Sequence, residues 1–313
     1  MKKIRQEFAD TMLELGSVDP RLVVMVGDIS HGILQPYAKA CPGRYYNIGI
    51  CEPTIVNMAA GLSKVGLIPV VHTIAPFIAE RAYEQIKLDF GYQKLSGNFI
   101  TVGGAFDYAQ LGCSHHCYAD VSLLSHFRRA QIIVPGTARE FNVLFKQIYS
   151  ADAINYVRIP EYSHGIEFSD ELLRFGRGIQ VREGKDVTLA VIGTQLANAV
   201  KAAATLADAG ISAEILYFHT LKPFDRALLR KSVEKTGRLL SIEELSAHDG
   251  LFNLCLRSCV GLPGFSAAQI AIPDFIHSYG SYEELCTQAG FSPENIVAES
   301  VRLVESSSLC IQA

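Results

Sequence analysis

The sequence predicts an α/β fold built as two parallel-sheet α/β sandwich domains, and three observations carry that prediction. Short apolar runs alternate with longer helix-period runs from about residue 21 to 160, the pattern of a parallel sheet covered by helices. A polar, less periodic stretch, "EYSHGIEFSDELLRFGRG" (161–178), interrupts it, as a domain boundary does. The alternation then restarts, and 313 residues, 49% of them hydrophobic, supply enough material for two cores. The expected domains are residues 1–165 and 180–313.

The chain opens with "MKKIRQEFADTMLELG", where Ile4, Phe8 and Met12 fall at helical spacing and Glu7, Asp10 and Glu14 interrupt the series. That suits an amphipathic docking helix and not a signal peptide, which needs an uninterrupted apolar core, so a cytoplasmic protein is expected. "RLVVMVGD" (21–28) reads as a strand that stops at Gly27-Asp28. The strand-like "YYNIGI" leads into a helix, "CEPTIVNMAAGLSKVG", closed by Gly66. "IPVVHT" is a strand. "FIAERAYEQIKLDFGYQ" is a helix with Phe77, Ala82, Ile86 and Phe90 on roughly one face. "NFITVGG", "AQIIVPG" and "INYVRIP" are strands, the last two separated by the helix "AREFNVLFKQIYSA".

The second half repeats the pattern. The strands are "VTLAVIG", "ISAEILYF", "RLLSIEE" and "AAQIAIP". The helices "TQLANAVKAAATLADAG", "DRALLRKSVEKTG" and "DGLFNLCLRSC" lie between them, and "SYEELCTQAG" and "SPENIVAESVRLVESS" close the chain. Sheets of this type place function at the carboxyl ends of their strands.

The bulk properties exclude several classes. A formal net charge of −4 without a long charge run argues against nucleic acid as the main partner. The longest apolar stretch, "GLIPVVHTIAPFIAE", is broken by Pro69, His72 and Pro76, so no membrane span is expected. Eight cysteines without a CxxC pair read as buried thiols of a reducing compartment. The cluster "CSHHC" (113–117) has zinc-binding residue types, but four crowded ligands wrap one tetrahedral ion poorly, so no metal is expected on this chain.

Four features could carry chemistry. Glu52 stands with Pro53 at the mouth of a small-residue helix. On the plain reading it is an acidic residue at the positive end of the dipole. Glu is not a favoured cap, however, and a carboxylate at a strand-to-helix junction inside the protein needs a partner. Phe77, at a strand end, is either core or a platform for a flat heterocycle. The segment 103–124 is a long, polar, histidine-bearing loop of a kind that is usually functional. One of His115 and His116 would serve as general acid or base while the other points outward. Arg158 either pairs with an internal carboxylate or binds a phosphate.

Taken together, "NIGICEP", "GLIPVVHTIAPFIAERAYEQI", the "GCSHH" loop and Arg158 resemble the pyrimidine-binding domain of the transketolase family. The segment from "VTLAVIG" to "SIEEL", with its "LKPFD" and "SIEE" signatures, resembles that family's C-terminal domain. Deoxyxylulose-phosphate synthase and the β subunits of 2-oxoacid dehydrogenases are similar relatives. The family's first domain, with a Gly-Asp-Gly motif that holds a metal ion and the diphosphate of thiamine diphosphate, has no counterpart here. The resemblance therefore implies the second subunit of a split transketolase. An N-terminal transketolase subunit would bring the Gly-Asp-Gly motif and Mg2+ or Ca2+, and the pair would form an α2β2 heterotetramer with β–β contact.

The resemblance implies roles residue by residue. Glu52, protonated in an apolar site, would bond a ring nitrogen of the aminopyrimidine. Phe77 would stack on that ring, with Ile74, Asp28 and Arg81 beside the cofactor. His115 would bond substrate oxygens, and Arg158 a sugar phosphate. The family loop usually reads Asp-Gly-x-Thr-His-Gln. Here Leu111 replaces the Asp that reads substrate hydroxyls, and His116 replaces the Gln. Ile74 replaces a second aromatic, and Gly103 stands where many members have a phosphate-binding His. These departures predict an altered sugar: branched, deoxygenated or nucleotide-linked. Two other readings are a carboligase or decarboxylase subunit using a 2-oxoacid, and a degenerate regulatory subunit. The second should have lost Glu52, which is present.

Overall fold

The structure is a computed structural model and describes residues 2–309. Its strands are β1 (Leu22–Val26), β2 (Tyr45–Asn47), β3 (Ile68–Ile74), β4 (Gly97–Val102), β5 (Ala130–Ile133), β6 (Ile154–Arg158), β7 (Ile179–Arg182), β8 (Val187–Val191), β9 (Ala213–Tyr217), β10 (Thr220–Lys222), β11 (Arg238–Ser246) and β12 (Ser266–Ile272). They form two sheets, ordered β10-β5-β6-β4-β3-β1-β2 and β12-β11-β8-β9-β7. Only the β10–β5 and β7–β9 pairs are antiparallel.

Helices cover both faces, as continuous burial of β1, β4 and β6 requires. On one face of the first sheet, Phe8 and Met12 of the helix Ile4–Val18 pack with Phe141 and Phe145 of the helix Ala138–Ile148. Each such fully buried side chain contributes roughly 1.5–3 kcal/mol. The other face shares its core with the second sheet: Ile55, Ile86 and Phe99 belong to one apolar cluster with Leu216, Leu239 and Leu251. Among the described residues no helix is long and apolar enough to cross a membrane.

Several local expectations change. "YYNIGI" forms only three residues of strand at a sheet edge, with Tyr46 and Ile50 exposed. Its apolar character therefore belongs to the surface of this chain. The helix after β3 is π-helical over Phe77–Arg81 and Ile86–Tyr92, with one α turn at Tyr83–Gln85. The wider winding accommodates the five-residue step from Phe77 to Ala82; Ala82, Ile86 and Phe90 are fully buried and Phe77 stays half-exposed. β10 was not legible as a strand, yet it adds an edge to the first sheet from the second half of the chain. Of the cysteines, Cys51 and Cys113 are exposed and not buried; Cys310 lies outside the described residues.

Candidate active site

The chain runs from β1 outward to β2, then returns across β1 to β3 on its other side. The crevice at the carboxyl ends of β1 and β3 is therefore the topological switch point of the first sheet, where such sheets bind ligands. Gly27 keeps it narrow, because a Cβ there would lie 3.0 Å from the Thr73 hydroxyl. The backbone is strained around it: Asp28 and Ser30 after β1, and Ala105 after β4, hold φ of 56°, 57° and 46°. Non-glycine residues adopt such values at a cost of about 1–3 kcal/mol and cluster at functional sites.

Glu52 sits in this crevice. It is the first residue of the helix Glu52–Lys64 and is 1% exposed. The Thr73 hydroxyl donates to Oε1 at 3.4 Å, and Arg81 Nη1 donates to Oε2 at 2.7 Å. The expected apolar setting is thus replaced by an ion pair, since no local pattern signals that the π-helix folds Arg81 back over the carboxylate. The guanidinium carbon lies 4.2 Å from the Phe77 ring centroid, within cation–π range. Phe77 in turn meets the His115 ring edge-on at 5.2 Å, and Tyr108 flanks His115 at 6.2 Å. Glu52, Arg81, Phe77, His115 and Tyr108 form one unbroken run of contacts.

His115 is partly exposed, and Ser114 Oγ lies 2.9 Å from its Nδ1. Burial and then the Arg81 charge hold its proton affinity below the ordinary imidazole value, which favours the neutral ring. The loop carrying it is anchored on the second domain. Ala105, Phe106 and Ala109 join that domain's core, and Ser246 N–H donates to the Tyr118 carbonyl.

Ile74 ends β3 and packs at Gly103, where a Cβ would also strike the Tyr108 ring at 2.5 Å. No side chain fits at position 103 with Tyr108 in place. Asp28, two residues past β1, makes a mutual pair of hydrogen bonds with Asn47.

Two expected substrate-facing residues, His116 and Arg158, are turned inward. His116 does not point outward: it is buried edge-on to Phe106, and burial lowers its proton affinity. Arg158 takes the internal alternative. Its guanidinium, 6% exposed, faces Asp120 at 3.4 Å and donates to the Cys117 and Glu244 carbonyls. Burial opposes its charge, but the Asp120 carboxylate beside it raises its proton affinity above the ordinary value. The adjoining cavity, lined also by Asp107 and Glu244, measures about 20 Å³. That is room for a water and not for a phosphate. Leu111 is 52% exposed on the loop.

Sequence reasoning missed Thr73, Tyr108 and Asp120. Thr73 directly precedes Ile74 at the strand end, and Tyr108 is an aromatic residue inside the polar loop; those were the available signals. Asp120 gave none beyond its place at a helix start. Among the described residues no group of three or more His, Cys, Asp or Glu side chains could hold a metal ion.

Residues 1–164 match the description "Transketolase, pyrimidine binding domain", and residues 176–296 match "Transketolase, C-terminal domain". The chain belongs to the transketolase family. Like other members, this transketolase chain depends on thiamine diphosphate for its chemistry. It is 29% identical over 304 residues to a subunit of the apulose-4-phosphate transketolase of Phocaeicola vulgatus, covering 96% of this chain and 97% of that one. It is 27% identical over 307 residues to a 6-deoxy-6-sulfo-D-fructose transketolase subunit of a Clostridium species, covering 96% and 94%. Among solved structures, a split-gene transketolase described as an inactive beta4 tetramer superposes with a TM-score of 0.88 at 30% identity, covering 97% of this chain and 99% of that one.

The site residues of this transketolase chain fit the flat part of such a cofactor. The Arg81 guanidinium is itself a planar, nitrogen-bearing group that bonds Glu52 while lying over Phe77. The place between carboxylate and ring thus accepts a flat, nitrogen-bearing group within hydrogen-bond reach of Glu52.

Proposed function

We propose that this chain is the second subunit of a two-chain transketolase that moves a two-carbon ketol unit from a modified ketose to an aldose. A separate N-terminal subunit with a Gly-Asp-Gly motif would hold Mg2+ or Ca2+ and the diphosphate, and the active site would lie between the two chains in a cytoplasmic α2β2 assembly. The observation that carries the reading is Glu52, buried at the switch point and joined through the Arg81 guanidinium to a half-exposed Phe77. Near-full-length likeness to chains named as subunits supports the split. The beta4 tetramer of the solved relative supports β–β contact and the need for a partner.

When bound, thiamine diphosphate supplies the carbon nucleophile that accepts and releases the ketol unit. Glu52 would hold a proton towards a ring nitrogen, which requires Arg81 to leave the carboxylate. The Arg81 side chain, 45% exposed, has the freedom to do so. Phe77 would then offer its face to the ring, with Ile74 and Asp28 at its margins. The Ser114 hydroxyl occupies His115 Nδ1, so Nε2 is the nitrogen left to meet substrate oxygens. The sugar is proposed to be a modified one because Leu111 offers no carboxylate, Gly103 admits no side chain, and Arg158 is closed inward. Both named relatives carry the names of unusual sugars.

The test is reconstitution with the Gly-Asp-Gly subunit and a panel of ketose donors. Ketol transfer that is faster from a branched or deoxygenated donor than from xylulose 5-phosphate supports the reading. Equal rates with xylulose 5-phosphate and ribose 5-phosphate overturn the modified sugar. CO2 release from pyruvate overturns ketol transfer altogether.

A further inference from the structure

Away from the switch point, a cavity of about 410 Å³ opens between the two domains. The helix Asp120–Ser125 forms one wall, the end of β10 and the segment after it another, and the start of the helix Leu251–Cys259 a third. Three cations line it: Lys222, Arg226 and Arg257, against one carboxylate, Asp249. That is a local excess of positive charge in a chain of net charge −4.

The cations are disposed to take a ligand. Lys222 is fixed in place, its ammonium donating to the Ser125 and Phe127 carbonyls at 2.7 and 2.6 Å. Those carbonyls leave one of its three N–H donors available. Burial lowers its proton affinity, so an anion alongside would relieve an existing electrostatic cost. The side chains of Arg226 and Arg257 have no hydrogen bond or ion pair among the described residues. Asn253 donates to the His248 carbonyl, which leaves its own amide oxygen to accept a hydroxyl proton. Phe224 and Leu254 give the cavity an apolar side. The volume falls within the range of small-molecule sites.

We propose that this interdomain cavity binds a small phosphorylated metabolite, its phosphate held by Lys222, Arg226 and Arg257 and its hydroxylated body by Asn253. Paired guanidinium groups suit a phosphate's planar oxygen edges. The site is separate from the Glu52 crevice, so it stands whether or not the proposed sugar chemistry does.

The experiment is calorimetric titration of the full chain with ribose 5-phosphate and with inorganic phosphate, at fixed ionic strength. The wild type is expected to bind ribose 5-phosphate more tightly than phosphate. Arg226→Gln with Arg257→Gln should weaken binding roughly tenfold or more. Asp249→Asn should tighten it, a gain that misfolding cannot imitate. His115→Asn, at the other site, should leave it unchanged. Four results would overturn the proposal: no saturation up to about 10 mM, equal affinity for both probes, binding indifferent to the arginine and Asp249 changes, or binding lost with His115→Asn.

Discussion

The two sheets end differently. At the carboxyl ends of the second sheet, polar groups are closed on one another. Glu243 accepts from the Leu251 and Phe252 N–H groups of the following helix. Glu244 accepts from Thr194, Gln195 and Tyr282. Tyr217 donates to Glu140 across the domain seam at 2.7 Å, where Gly136 N–H also donates and His164 approaches at 2.8 Å. At the carboxyl ends of the first sheet, Glu52 is equally buried, but its strong partner is a half-exposed arginine over a half-exposed ring. Identical strand-helix grammar thus yields closed polar ends on the second sheet and, at the β1–β3 crevice of the first, a buried carboxylate whose partner is half-exposed.

The largest effect that sharpens this contrast is chemical. Glu52→Gln should reduce turnover of the reconstituted pair by about 10²–10⁴-fold while leaving assembly intact, read by steady-state rates and size-exclusion chromatography. Glu140→Ala should do the reverse. It strands a backbone N–H, the Tyr217 hydroxyl and His164 in a dry seam, at a cost of about 3–5 kcal/mol in chemical denaturation. Turnover per folded molecule should stay near that of the wild type.

A third test uses pH. Burial pushes the Glu243 carboxyl up to about 7, against the two backbone N–H bonds that favour its charge. A carboxyl raised on folding gives stability that is complete below its unfolded value of 4.5 and is lost as pH rises through 7, at most roughly 3 kcal/mol. His72 and His219, lowered to about 4 by burial, tilt stability the opposite way over part of that range. The difference between wild type and Glu243→Gln isolates the glutamate. The stability of the variant relative to wild type should rise between pH 5 and 8 in thermal melts. The smallest effect is at the loop. Leu111→Asp, on an exposed side chain, should change stability by no more than about 0.5 kcal/mol, while altering the ranking of ketose donors.

The alternation of apolar and helix-period runs made the parallel sheets legible, because strands buried on both faces are mostly apolar even where they carry a buried polar residue such as Asn98, Thr101 or Asn155. β10 was not legible: three residues at an edge carry no period, and their pairing with β5 is set by tertiary closure. The same holds within the site. Glu52 and Phe77 were visible because each breaks a local rule, a non-cap acid at a helix mouth and an aromatic after a proline. The ion pair from Arg81 was hidden, since it depends on a π-helical turn that spacing read at 3.6 residues does not suggest. Arg158 could be read two ways until the position of Asp120 was known.

The most direct measurement is exchange of the thiazolium C2 proton of thiamine diphosphate in the reconstituted pair, followed by quenched-flow NMR. Glu52→Gln should slow the exchange by at least about a hundredfold, with Arg81→Gln slowing it far less. An exchange rate unchanged by Glu52→Gln would contradict the role assigned to that carboxyl group.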